Sequence, residues 1–216
     1  MKTKYSAEVL LAIVALIPFV YLIYVWPQLP AVVPTHFDSS GKPNDYSSKY
    51  SLIGILFFIN IVINLIIMIA PKIDPRYKNY NAFSGTFLKL RLAIAALISF
   101  LSIMMLNSAL TSTINANYIF VVLLIFLAFS GNYMSTVKPN FFIGLRTPWT
   151  LSSEDVWRKV HNVFGKVWFY GSLVLLPLML IIPIDIFMYV FMSFVIGSSL
   201  FGVVYSFVLY KSEAKQ

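Results

Sequence analysis

The sequence predicts an all-α polytopic membrane protein, and three observations carry that expectation. Hydrophobic residues make up 59% of the chain and charged residues only 11%, against about 25% charged in soluble domains. Mean hydropathy is +0.82. Six long runs contain no charged side chain at all. So few charges cannot cover a soluble surface. A soluble globular enzyme, a disordered chain and a secreted disulfide scaffold are therefore excluded. Cysteine is absent, which removes disulfides, thiolate catalysis and cysteine–metal sites.

The runs are Val9–Trp26, Ser51–Ala70, Leu92–Ile114, Tyr118–Val137, Val167–Ile184 and Ile186–Tyr210. A helix of about 20 residues crosses a ~30 Å hydrocarbon core, so six transmembrane helices are expected. Barrel strands would alternate lipid-facing and lumen-facing residues, and these runs do not. The first run follows Lys2 and Lys4 and is followed by Trp-Pro-Gln-Leu-Pro without a small-x-small cleavage site. It reads as an uncleaved anchor. With the N-terminus inside, only Lys42 and Lys49 of the 16 basic residues fall outside. That asymmetry follows the positive-inside rule, places both termini in the cytoplasm and accounts for the net charge of +8 without nucleic acid.

No Asp, Glu, Lys, Arg or His lies within the six runs, which counts against a pump or charge-coupled carrier. Asn60 and Asn64, four apart, share one face of the second helix. They read as interhelical glue or, alternatively, as part of a polar ligand pocket. Ser198, Gly202 and Ser206 form a small-residue stripe on the last helix. It suits packing within the chain or the seam of a homo-oligomer.

The loop 27–50 carries four prolines and several turn signals, so extended stretches and tight turns are expected there. Asp45 or Ser47 is placed to cap the second helix. His36 and Asp38, two apart, face one side of an extended segment. Pro34, Thr35, His36, Asp38, Gly41 and Asp45 are the expected ligand-sensing residues of this outer face. One His and one or two carboxylates are too thin a set for a metal, and no metal or other cofactor is expected.

The inner segment from Lys138 to Lys166 opens irregularly at Pro139, Gly144 and Pro148. A helix start is expected at Ser152 with Asp155 three residues on. Trp157, Val160, Phe164 and Trp168 then form one apolar stripe, with Arg158, Asn162 and Lys166 opposite. This predicts one cytoplasmic-side amphipathic helix, lying in the membrane interface before the fifth span.

Two segments carry a family resemblance. The inner one reads Gly131-Asn132-Tyr133-Met134, then Lys138-Pro139-Asn140-Phe141-Phe142-Ile143-Gly144-Leu145-Arg146-Thr147-Pro148-Trp149-Thr150-Leu151, then Val156-Trp157-Arg158-Lys159 and His161. It resembles the signature of the SdpI family of bacterial membrane proteins. The outer stretch, Leu29-Pro30, Val33-Pro34-Thr35-His36-Phe37, Gly41 and Asp45-Tyr46, resembles the small domain of unknown function that precedes the SdpI part in many members. The resemblance implies one integral membrane domain over residues 1–216. Its two-helix N-terminal part is 1–70 with outer loop 27–50, and an SdpI-like four-helix part covers 86–210.

The resemblance also implies a non-enzymatic immunity and signalling protein of the bacterial cell membrane. Such a protein confers resistance to a secreted toxic peptide on the outer face. On the cytoplasmic face it draws a small helix-turn-helix repressor away from DNA. Asn132, Lys138, Pro139, Asn140, Gly144, Arg146, Thr147, Pro148, Trp149, Trp157, Arg158 and His161 are then the expected contacts for that partner or for membrane lipid. The alternative is a small transporter or lipid-binding protein with a polar site between helices near Asn60, Asn64, Ser130 and Asn132. A membrane enzyme lacks support, because the spans hold no paired carboxylates or His-Glu metal motif.

Overall fold

The computed structural model describes residues 2–38 and 42–213. Helix α1 covers Lys2–Val25 and runs into a 3₁₀ turn, Trp26–Gln28, where Pro27 stands at the start. Strands β1 (Val32–Phe37) and β2 (Pro43–Ser48) form an antiparallel hairpin. Helix α2 (Ser51–Leu56) continues through a π-helical turn, Phe57–Val62, into α3 (Ile63–Ile73). A 3₁₀ segment, Tyr77–Phe83, leads into α4 (Ser84–Thr111), and α5 follows at Ala116–Met134. Then come α6 (Pro148–Ser152), α7 (Glu154–Leu178) and α8 (Ile184–Glu213). The chain is an all-α polytopic membrane protein with one small hairpin.

Five helical stretches among the described residues are long and apolar enough to cross a membrane. Six were expected, and the difference lies in α7. The run Val167–Ile184 is not a helix of its own. It forms the C-terminal half of α7, which ends at Leu178, and its remainder turns through Met179–Pro183. The expected interfacial helix is the N-terminal half of that same α7. Its stripe is not laid on lipid: Trp157, Val160 and Phe164 are 1%, 0% and 3% exposed, packed in protein.

Two capping expectations also change. Asp45 and Ser47 lie inside β2, and α2 starts after Tyr50 without a side-chain cap. The cap of α7 is Ser153, whose hydroxyl accepts from the Val156 amide at 3.2 Å. Ser152 instead closes α6, donating to the Pro148 carbonyl.

Contacts divide the chain into two compact units, Met1–Met68 with Arg91–Val122 and Ile69–Leu90 with Leu123–Gln216. In the first, Leu22, Val25, Leu29, Val33, Leu52, Leu56, Leu106 and Ala109 form one buried cluster. The hairpin is therefore seated on the helix ends through Val33, which is fully buried. In the second unit, α7 and α8 lie antiparallel, in contact from Ser153 to Gly171. Ser153 meets Glu213, Phe164 faces Gly202, Trp168 bonds Ser198 and Gly171 faces Phe194.

Candidate functional site

The Lys138–Thr147 loop of the second unit is built around two buried polar side chains. Asn140 is fully buried. Its Oδ1 accepts from the Phe142 and Ile143 amides at 2.8 and 2.7 Å, and its Nδ2 donates to the Lys138 and Ile143 carbonyls at 2.9 and 3.0 Å. Four bonds to four backbone groups fold the loop around one carboxamide. Asp74, 2% exposed, docks that loop. Its carboxylate accepts from the Phe141 amide (2.8 Å), the Tyr80 hydroxyl (2.9 Å) and the Arg76 amide (2.7 Å). Asn79 donates to the Pro139 carbonyl at 2.7 Å. The Arg76 guanidinium donates to the Leu151 carbonyl and lies over the Phe141 ring.

The second half of the loop rests on α7. Gly144 has φ +107°, and a Cβ there would sit 2.3 Å from Nε2 of His161. Glycine is required on both counts. His161 Nε2 accepts from the Leu145 amide at 3.1 Å, and Nδ1 faces the Trp157 carbonyl at 2.8 Å. Accepting at one nitrogen and donating at the other fixes a neutral imidazole. The ring stacks on Trp157 at 3.9 Å, and Trp157 Nε1 donates to the Val137 carbonyl at 2.8 Å. Thr147 and Thr150 then cap α6 reciprocally, with Pro148 at its first turn.

Thr147 also meets the Ser206 hydroxyl at 3.0 Å. Ser198 accepts from Trp168 Nε1 at 3.1 Å, and Gly202 faces Leu145 and Phe164. Thus the small-residue stripe is packed within the chain.

The expected inner-site residues therefore separate into two groups. Pro139, Asn140, Thr147, Trp157 and His161 are buried and shape the loop, with Gly144 beneath the backbone turn. Asn132, Lys138, Arg146, Pro148 and Arg158 are exposed, and Trp149 is half-buried against Phe207. Arg146 donates to the Phe141 carbonyl. Arg158 and Lys159 both pair with Asp155. Lys159 and then Arg158 hold that carboxyl well below the usual range. Sequence reasoning missed Asp74, Asn79 and Tyr80 and saw Arg76 only as a topological charge. The available signal was Asp74 itself, a lone acid inside the basic Pro71–Thr86 segment.

In the first unit, Pro34 is buried beside Val33, Thr35 is half-buried, and His36, Asp38 and Asp45 are exposed. His36 Nδ1 meets Asn44 Oδ1 at 2.5 Å. Asp38 accepts from the Lys42 amide and donates its own amide to the Lys42 carbonyl, which closes the hairpin. Asp45 accepts from the Tyr46 amide. Gly41 lies outside the described residues.

Asn60, fully buried, donates to Ser102 on α4 at 2.8 Å and to the Leu56 carbonyl at 3.2 Å. Asn64 donates to the Asn60 carbonyl at 2.7 Å. Asn60 thereby ties the π-helical turn to α4. A pair the charge-free runs left out is Glu8 of α1 with Arg91 of α4, two bonds at 2.7 and 2.9 Å. Among the described residues, no three His, Asp or Glu side chains are grouped to hold a metal ion.

The family model of the SdpI/YfhL protein family matches residues 136–206. That of a domain of unknown function (DUF1648) matches residues 13–63. The immunity protein SdpI of Bacillus subtilis (strain 168) is 30% identical over 160 residues, which cover 72% of each chain. The chain belongs to the SdpI family. No solved structure matches it. The SdpI match takes in the whole Asn140-centred loop, α6, α7 and most of α8. The DUF1648 match takes in most of α1, the hairpin and the start of α2–α3.

Proposed function

We propose that this chain is a multi-pass immunity and signalling protein of the bacterial cell membrane. It confers resistance to a secreted toxic peptide and holds a small repressor at its cytoplasmic face. The observation that carries this reading is its likeness to the Bacillus subtilis immunity protein SdpI over 72% of both chains. Two features of the molecule support it. The hairpin is an ordered outer element, anchored by Val33 and closed by Asp38. The inner loop is a rigid platform whose exposed residues include Phe141 and Arg146.

The topology that goes with it has six crossings and both termini inside. The antiparallel contacts of α7 with α8, from Ser153–Glu213 to Gly171–Phe194, support α7 as the sixth crossing beside α8. The basic residues, all but Lys42 and Lys49, then lie on the cytoplasmic side.

The test expresses the chain in a susceptible host that lacks its own immunity protein. Survival under the peptide that SdpI-type proteins neutralise should rise at least about tenfold. His36→Ala and Asp38→Ala, made singly, should remove the protection at unchanged membrane levels. Absence of protection by the parent chain, present in the membrane, refutes the immunity role. Full protection by both variants refutes the hairpin as the sensing face.

A further inference from the structure

Helices α5 and α7 touch at two glycines. A Cβ on Gly131 would stand 2.6 Å from the Gly165 carbonyl oxygen, and one on Gly165 would stand 2.6 Å from that of Gly131. Where the backbones diverge from this contact, a cleft of about 200 Å³ opens, lined by Asn132 of α5, by Ser135 just after that helix, and by Asn162, Lys166, Phe169 and Tyr170 of α7.

Its polar groups differ from the others of this unit. Asp74, Arg76, Asn79, Asn140, Thr150 and His161 all spend their hydrogen bonds inside the fold. Asn132, Asn162 and Lys166 are exposed side chains directed to the cleft without that engagement. They supply two carboxamides and one ammonium group, with a hydroxyl from Ser135, and no carboxylate lines the cleft. The neighbouring cleft, of about 300 Å³, holds Glu154 and Asp155 against Lys138 and Arg158 and neutralises itself. Only the first presents donors and positive charge unopposed, which suits a phosphate oxyanion.

The surface beyond the cleft is apolar. On the same face of α7, Tyr170, Leu173 and Val174 are 62%, 46% and 59% exposed. A ligand with its phosphate against Lys166 has a hydrocarbon track directly alongside. That pairing selects an amphiphile over a soluble phosphate.

We propose that the α5–α7 cleft is a binding site for an anionic phospholipid, its phosphodiester held by Lys166, Asn162 and Asn132 and its acyl chain lying over Leu173 and Val174. The site goes beyond the immunity reading and does not depend on it. Basic recesses between spanning helices on the cytoplasmic side are suited to anionic headgroups.

The test uses the full chain, delipidated in detergent and titrated with phosphatidylglycerol, phosphatidylcholine or inorganic phosphate. Retained lipid is counted by native mass spectrometry, and thermal unfolding is followed in parallel. Phosphatidylglycerol should be retained roughly tenfold more tightly than phosphatidylcholine. Lys166→Gln with Asn162→Ala should erase that preference, whereas Lys166→Arg should keep it. Lys159→Gln removes one charge outside the cleft and should also keep it. The same thermal midpoint before titration certifies the fold of each variant. Equal retention of both lipids by the parent overturns the site. So does equal loss in Lys159→Gln, which would make the preference a bulk charge effect. Stabilisation by inorganic phosphate alone, matching that by lipid, overturns the lipid as occupant.

Discussion

Gly165→Val should unfold the second unit, and Gly131→Val should do the same. At each position the first side-chain carbon would meet the opposing backbone oxygen at 2.6 Å. A flexible side chain could move aside; a helix backbone cannot, so α5 and α7 must separate. Separation opens the packing around Trp168 and Met134, which border the crossing. Overpacking usually costs about 1–3 kcal/mol, and a backbone-to-backbone clash belongs at or above the top of that range. Even Gly165→Ala should be severe. The matched controls are Gly54→Ala, Gly85→Ala and Gly197→Ala, where a Cβ meets nothing within 4 Å. These exchanges sit in or beside helices, where alanine is favoured over glycine by up to ~1 kcal/mol. Unfolding midpoints of the six variants in detergent should fall into two separate classes. If Gly165→Ala matched Gly54→Ala, the close crossing would be absent from the protein in its membrane.

The second large effect is expected at Asp74. Its carboxylate joins the Phe141 amide, the Tyr80 hydroxyl and the Arg76 amide. In Asp74→Ala the Phe141 and Arg76 amides lose their acceptor, and the buried Tyr80 hydroxyl is left with its longer bond to Asn140 Oδ1 at 3.4 Å. A buried donor left unpaired costs about 1–3 kcal/mol, and bonds to a charged acceptor are the stronger ones. The sum places Asp74→Ala at roughly 3–5 kcal/mol, in the range reserved for disrupted buried networks. Asp74→Asn keeps one acceptor but sets an NH₂ against donors, so it should fall between parent and alanine. The loop should also lose its fixed shape, since Phe141 is then held mainly through Asn140 and Arg146. Limited proteolysis at Phe141–Arg146 should speed up in Asp74→Ala before the helices unfold. Unchanged cleavage would mean that Asn140 alone shapes the loop.

Composition and run length alone determined the membrane class and the helices, because a charge-free run of about 20 residues has no other stable setting. Local spacing also marked the buried stripe Trp157, Val160, Phe164, since helical periodicity is a property of neighbours along the chain. The Asn140–Pro148 motif was legible as a unit, and so was the extended character of the outer loop. What covers the stripe was not legible: lipid and protein make the same demand for apolar residues, and only packing against the inner loop and α8 decided between them. The same ambiguity hid the continuity of α7, whose charged first half and apolar second half read as two elements.

Partners far apart in the chain were out of reach for the same reason. Asp74 meets Phe141 across 67 residues and Arg91 meets Glu8 across 83, and no periodicity links such positions. The roles of Asn140 and His161 changed on this account as well. A polar residue in a motif reads as a contact until its bonds are seen to close on the backbone beside it. Which side chains of the motif hold the loop, and which face outward, was settled by the tertiary structure, because burial is a property of the packed chain and not of the residue.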